Sequence, residues 1–224
     1  MRLIVFLFIF FSVNIYAQDD IFAKDYFENG EYEKALIEYK KLYDKSPNNI
    51  DYINKLIESY QQLEKYKEVE QFLFNLLERI KFPAFYIELG YNYQLQNELV
   101  TANEYYAKAL ASIDINPNNV FSVARGFQKR TLLNEALLAY EKAMLLKPEL
   151  NFKLQMAQIY GEQGDVEKML ISYIDFAEAN EVALNNIKRA INDFITEDSF
   201  NENNILFRKI LLRKIQQEPN IIWN

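Results

Sequence analysis

Aromatic residues return along this chain at a nearly fixed interval. Tyr26, Tyr60, Tyr93, Phe127 and Tyr160 follow one another at steps of 34, 33, 34 and 33. Four further columns keep the same steps. They are Tyr39, Leu73, Tyr106, Tyr140 and Tyr173; Ala35, Val69, Ala102, Ala136 and Met169; Ala23, Ile57, Gly90, Ala124 and Ala157; and Leu42, Leu76, Ala109, Ala143 and Phe176. A period of this length marks a repeat array, in which one unit cannot bury its apolar face alone and must stack on its neighbours.

Within a unit the spacing is helical. Ala35, Tyr39 and Leu42 are four and three apart, as are Ala102, Tyr106 and Ala109, so each set shares one helix face. Ala23 and Tyr26, three apart, mark a preceding helix. The turns within the pairs fall at Asn29-Gly30, Leu63-Glu64, Gln96-Asn97, Arg130-Thr131 and Gln163-Gly164-Asp165. Gly30 and Gly164 suit a left-handed helix ending. Pro47, Pro83, Pro117 and Pro148 separate the units, where proline ends one helix and can open the next. Small residues at the Ala23 and Ala35 columns let two helix axes approach, and rings at the Tyr26 and Tyr39 columns fill the space beside them. Burying one such ring stabilises by roughly 1.5–3 kcal/mol.

The small and aromatic positions Ala23, Tyr26, Ala35, Tyr39 and Pro47, and again Leu89-Gly90, Tyr93, Ala102, Tyr106 and Ala109, resemble the tetratricopeptide repeat (TPR) family. The resemblance implies an all-α, right-handed superhelical solenoid of antiparallel helix pairs, and an exported bacterial member of the family. Five pairs are expected over residues 18–183, and a diverged sixth over 184–217 with Ile191, Phe194, Phe207 and Ile210 on its columns. The second pair departs most, having Ile57, Val69 and Leu73 where small, small and aromatic residues are usual. In the sixth, polar Asn203 replaces the small residue. Residues 218–224, with the apolar run Ile221-Ile222-Trp223, read as the start of a further unit in a longer protein, or as a tail.

Composition removes most chemistries. The chain has no cysteine and no histidine, hence no disulfide, no thiol nucleophile and no Cys/His metal site. The usual general base is missing as well. We therefore expect no enzyme and no cofactor. The net charge of −7 lacks the basic footprint that nucleic-acid binding needs. Met1 and Arg2 precede an apolar run, Leu3 to Phe11, extended by Ser12 and Val13. That run is shorter than the roughly 20 residues of a spanning helix and reads as a signal peptide over residues 1–17, cut between Ala17 and Gln18. An uncleaved anchor is the alternative. Cleavage leaves a net charge of about −8, no stable membrane span, and a periplasmic or cell-surface protein.

The resemblance further implies a concave groove lined by the first helix of each pair. Its groove-facing positions are Lys24, Phe27, Asn54, Glu58, Gln61, Tyr91, Gln94, Arg125, Gln128, Lys129 and Gln158. Asn and Gln there suit an extended peptide backbone, and Arg125, Gln128 and Lys129 suit a carboxylate. Asp20 and Lys24 stand where the family's carboxylate clamp would begin, so that clamp is not expected. The function implied is a scaffold holding a protein or peptide partner. The alternatives are an oligosaccharide-binding surface protein, which needs exposed rings such as Tyr91 or Trp223, and the input module of a longer catalytic or sensory protein. The sequence leaves the oligomeric state open.

Overall fold

The computed structural model describes residues 20–217; the expected signal peptide and the segment from Glu218 to Asn224 lie outside the described residues. Helix α1 occupies residues 20–28. It is followed by α2 (Tyr32–Lys45), α3 (Ile50–Gln62), α4 (Tyr66–Arg79), α5 (Ala84–Leu95), α6 (Leu99–Ile115), α7 (Val120–Lys129), α8 (Leu133–Leu146), α9 (Lys153–Glu162), α10 (Val166–Ala179), α11 (Leu184–Ile191) and α12 (Glu202–Gln217). Short 3-10 turns, Pro117–Asn119 and Glu181–Ala183, precede α7 and α11. No strand occurs among the described residues. The fold is all-helical and TPR-like. It divides into two compact units, with the boundary between Lys108 and Ala109, inside α6.

The first five helix hairpins turn in one way. The fifth residue after each member of the Tyr26 column donates back to it: Glu31, Lys65, Glu98, Leu132 and Asp165 N–H reach the carbonyls of Tyr26, Tyr60, Tyr93, Phe127 and Tyr160 at 2.8–3.0 Å. The residue before each donor is left-handed: Gly30 and Gly164 at φ 75°, Glu64 and Thr131 at 55°, Asn97 at 62°. This is a Schellman ending, which satisfies the last helical carbonyls. The same donor residue then opens the next helix, since its carbonyl accepts from Ala35, Val69, Ala102, Ala136 or Met169 N–H. One residue closes one helix and caps the other. Of these cap side chains, Asp165 accepts from Lys168 N–H at 3.1 Å, and the Lys168 ammonium and backbone hold its carboxyl below the usual carboxylate range.

Glycine marked only two of the five left-handed positions. β-Branched Thr131 is the most strained of the others. Thr131→Gly relieves a left-handed penalty of about 1–2 kcal/mol, less about 0.5–1 kcal/mol of added chain entropy. Denaturant unfolding should show a net gain, and a loss of stability would contradict the turn geometry.

The columns form the interior. Ala23, Ile57, Ala124 and Ala157 are fully buried, as are Ala35, Val69 and Ala136, and the Tyr39 column is at most 6% exposed. In the second hairpin, Ile57, Val69 and Leu73 are each 0% exposed. Larger residues at the small columns are matched there by a smaller one at the aromatic column, so its packing closes. In the first unit Ala35, Leu36, Tyr39 and Leu42 pack with Leu56 of the next hairpin, and Ile53, Leu73 and Leu76 pack with Phe85 and Leu89. The Tyr26 column corrects the sequence reading. Phe127 alone is fully buried there, whereas Tyr26, Tyr60, Tyr93 and Tyr160 are half-buried. A phenol needs a polar partner that phenylalanine does not, and Tyr93 donates its hydroxyl to the Glu70 carboxylate. Lys34 and Lys168 stand 5.2 and 5.4 Å over the ring faces of Tyr26 and Tyr160, a contact open to any exposed aromatic ring.

The sixth pair lacks the tight turn. Residues 192–201 separate α11 from α12, and two asparagines clip that loop. Asn203 donates to the Phe194 carbonyl at 3.1 Å. Buried Asn204 donates to the carbonyls of Thr196 and Asp198 at 2.7 and 2.5 Å and accepts from Thr196 N–H at 3.1 Å. The polar residues at this place thus close a loop that a small residue could not. Ile187 and Ile210 join the core built from Ala157, Met169, Leu170 and Tyr173. Lys214 on α12 pairs with Asp175 at 2.6 Å and Glu178 at 3.1 Å on α10.

Candidate functional site

Two repeat positions of the first helices carry the candidate side chains. Lys24, Glu58, Tyr91, Arg125 and Gln158 share one, and Phe27, Gln61, Gln94 and Gln128 the other. Asn54 lies one turn before Glu58, and Lys129 one turn after Arg125. Lys24, Arg125, Lys129 and Gln158 are exposed; Phe27, Asn54, Glu58, Tyr91, Gln94 and Gln128 are half-buried. Gln61 is only 6% exposed. The structure therefore removes Gln61 from the accessible surface on which the sequence reading placed it.

Gln94 and Gln128 are held alike. The Tyr106 hydroxyl donates to Gln94 Oε1 at 2.8 Å, and the Tyr140 hydroxyl donates to Gln128 Oε1 at 3.3 Å. Each tyrosine comes from the second helix of the same hairpin, so the core column fixes the amide on the surface column. Such preorganisation lowers the ordering cost of binding.

In the first unit the side chains converge on a cleft of about 470 Å³ between α1, α2 and α3. Phe27, Tyr39 and Tyr52 form its apolar surface, and Lys24, Lys55, Asp20, Glu28 and Asp51 its charged rim. Lys55 Nζ lies 4.1 Å from the Phe27 ring centre and 2.8 Å from Glu58 Oε2. Lys24 and Glu28 are 3.7 Å apart and exposed, an arrangement that contributes little by itself. Asn49 caps α3 by accepting from Asp51 and Tyr52 N–H, which fixes where Tyr52 projects. Burial, with the carboxylates of Asp20, Glu58 and Glu28 adding to it, pushes the Tyr39 hydroxyl up to about 12. Burial first and then Asp20 and Asp51 raise Tyr52. Both phenols therefore stay neutral hydrogen-bonding groups near neutral pH.

The sequence reading missed Tyr39, Tyr52 and Lys55 as site residues. Lys55 lies three residues before Glu58, and Tyr52 three before Lys55, so each step keeps to a neighbouring strip of the helix surface. Tyr39 belongs to a core column, and that role hid its surface edge.

In the second unit α7 presents Phe121, Arg125 and Lys129 at four-residue steps, with Gln128 beside them. Phe121 is 59% exposed and meets Phe152 edge-on at 5.5 Å, which in turn lies 4.8 Å from Tyr140. An aromatic chain thus runs from the core to the surface next to two cations. Phe121 is off the repeat columns and was also missed. Of the rings considered for sugar stacking, Tyr91 is half-buried and Trp223 lies outside the described residues. Among the described residues no helix is long and apolar enough to cross a membrane.

No protein-family model matches the chain, and no curated protein matches it. Among solved structures it is similar to the MamA protein, at 18% identity over 76% of this chain and 94% of that one, with a TM-score of 0.37. It is also similar to a thermophilic TPR protein of Thermus thermophilus, at 14% identity over 88% and 99% of the two chains and a TM-score of 0.41. The TPR2AB domain of yeast Sti1, solved as a complex with pHSP90, matches at 14% identity over 88% and 99%, with a TM-score of 0.39. At these levels the TPR-like fold rests on the chain's own columns, hairpins and turns.

Proposed function

We propose that this protein is a non-catalytic scaffold that holds a protein or peptide partner against the first helices of its hairpins. The observation that supports this most directly is the cleft between α1, α2 and α3, where apolar rings and both signs of charge from three helices face one space. Apolar pockets with a few fixed polar groups are the usual form of a binding site. The tyrosine-held glutamines of α5 and α7 offer related chemistry in later hairpins. The proposal includes export to the periplasm or cell surface, based on the charged start and apolar run of residues 1–17. It includes no cofactor and no nucleic acid, consistent with the missing cysteine and histidine and the acidic balance.

Selection of a displayed random-peptide library on the chain from Gln18 tests this reading. Enriched peptides should lose at least about tenfold in affinity, about 1.4 kcal/mol, in the Arg125→Glu/Lys129→Glu variant or the Lys55→Glu variant. Failure to enrich, or parental affinity retained in both variants, would reject the groove assignment.

A further inference from the structure

Helix α12 carries apolar residues on two sides. Ile210 is buried, and Phe207 and Leu211 pack with it on the core around Tyr173 and Ala177. On the opposite side Ile205 is 51% exposed and Leu212 59%. A shallow cleft of about 450 Å³ runs along this outer side, and Arg208, Lys209, Arg213 and Gln216 complete its lining. No carboxylate is among those lining residues. Arg208 also donates to the Ser199 carbonyl at 3.2 Å, and Glu167 of α10 stands 3.9 Å from Arg213, both being about half exposed. Residues 184–217 hold six basic side chains against four acidic ones, in a chain whose net charge is −7. The pair that carries the uncovered apolar ridge is thus net basic, within an acidic chain.

Helical geometry says what can cover it. Ile205 and Leu212 are seven residues apart and project within about 20° of each other. Arg208 lies on one flank of that ridge, and Lys209 and Arg213 on the other. A partner helix would need apolar residues at 208 or 209 to make a continuous seam, and Arg and Lys stand there instead. A second copy pairing through the same face would set three cations against three. A bilayer has neither objection. Its interface takes an aliphatic ridge, the flanking basic side chains bend up to the phosphates, and each adds attraction to an anionic leaflet. We propose that the outer face of α12 is a peripheral docking site for an anionic lipid bilayer.

The absence of cysteine from the chain gives a direct test. In the full-length chain, Leu212→Cys provides one attachment point for an environment-sensitive dye, and Ile37→Cys, 54% exposed on α2, serves as the reference. With phosphatidylcholine–phosphatidylglycerol vesicles the dye at 212 should shift to the blue while the dye at 37 stays in water. Because the readout belongs to position 212, adsorption through Leu3 to Phe11 does not imitate it. The shift should vanish with pure phosphatidylcholine, in about 1 M salt, and when Arg208→Glu and Lys209→Glu are added to the labelled chain. No shift with anionic vesicles, or an equal shift with neutral ones, would overturn the assignment. So would a shift produced by poly-glutamate but not by vesicles, which would give the face to an acidic protein partner.

Discussion

Phe127→Ala is expected to destabilise the protein by about 3–5 kcal/mol. Phe127 is the one residue of its column with 0% exposure, so truncation removes a full ring's burial and leaves a cavity that the neighbouring helices fill only in part. α7 and α8 pack closely on each other, and the Phe127 carbonyl holds their turn through Leu132 N–H at 2.9 Å. Backbone positions there are fixed, and the site has little freedom to collapse. Tyr160→Ala, at the same repeat position but half-buried, should cost clearly less. Guanidinium unfolding of both variants checks the order, provided the slope with denaturant is unchanged. Equal losses would mean that burial does not distinguish these two hairpins.

Gly90→Ala should destabilise by about 1–3 kcal/mol through overpacking, although alanine is the better helix former by about 1 kcal/mol. A Cβ on Gly90 would lie 2.3 Å from Tyr106 Cε1 and 2.9 Å from the Ala102 carbonyl oxygen. The ring cannot swing away cheaply, because it is buried and its hydroxyl is tied to Gln94 at 2.8 Å. The backbone carbonyl cannot swing away at all without moving α6. Ala23, Ala124 and Ala157 occupy this place in other hairpins, so the close approach is particular to α5 and α6. Variants should be compared by the same unfolding measurement, with Ala136→Leu as a second overpacked column. A Gly90→Ala protein more stable than the parent would show that the two helices sit further apart than described.

The repeat was legible because its columns are physical contacts, and contacts recur where hairpins recur. Tyr39, Tyr106, Tyr140 and Tyr173 are buried where the period placed them. The left-handed conformation of Glu64 and Thr131 was not legible, because side chains that tolerate it poorly do not announce it; Asn97, also left-handed, tolerates it better. The hydrogen bonds of the turn impose it on them. The difference between Phe127 and Tyr93 lies in one oxygen, which at Tyr93 finds the Glu70 carboxylate. Gln61 read as a surface amide because its neighbours in the repeat are Phe27 and Gln94; its burial depends on packing with other helices. Lys55 and Tyr52 were passed over for a related reason: a cleft is made by three helices, while periodicity describes them one at a time. The boundary at Lys108 and Ala109 falls inside a continuous helix, where composition does not change.

Sharing one residue between two helices leaves the five tight hairpins without a spare joint. A residue inserted between Gly30 and Glu31, or at any of the four equivalent junctions, would have to be absorbed by the following helix. It would rotate that helix's apolar stripe by about 100° away from its partner. Length variation among descendants of this chain should therefore collect at the proline-bearing junctions between hairpins and in residues 192–201, and be absent from the bends themselves.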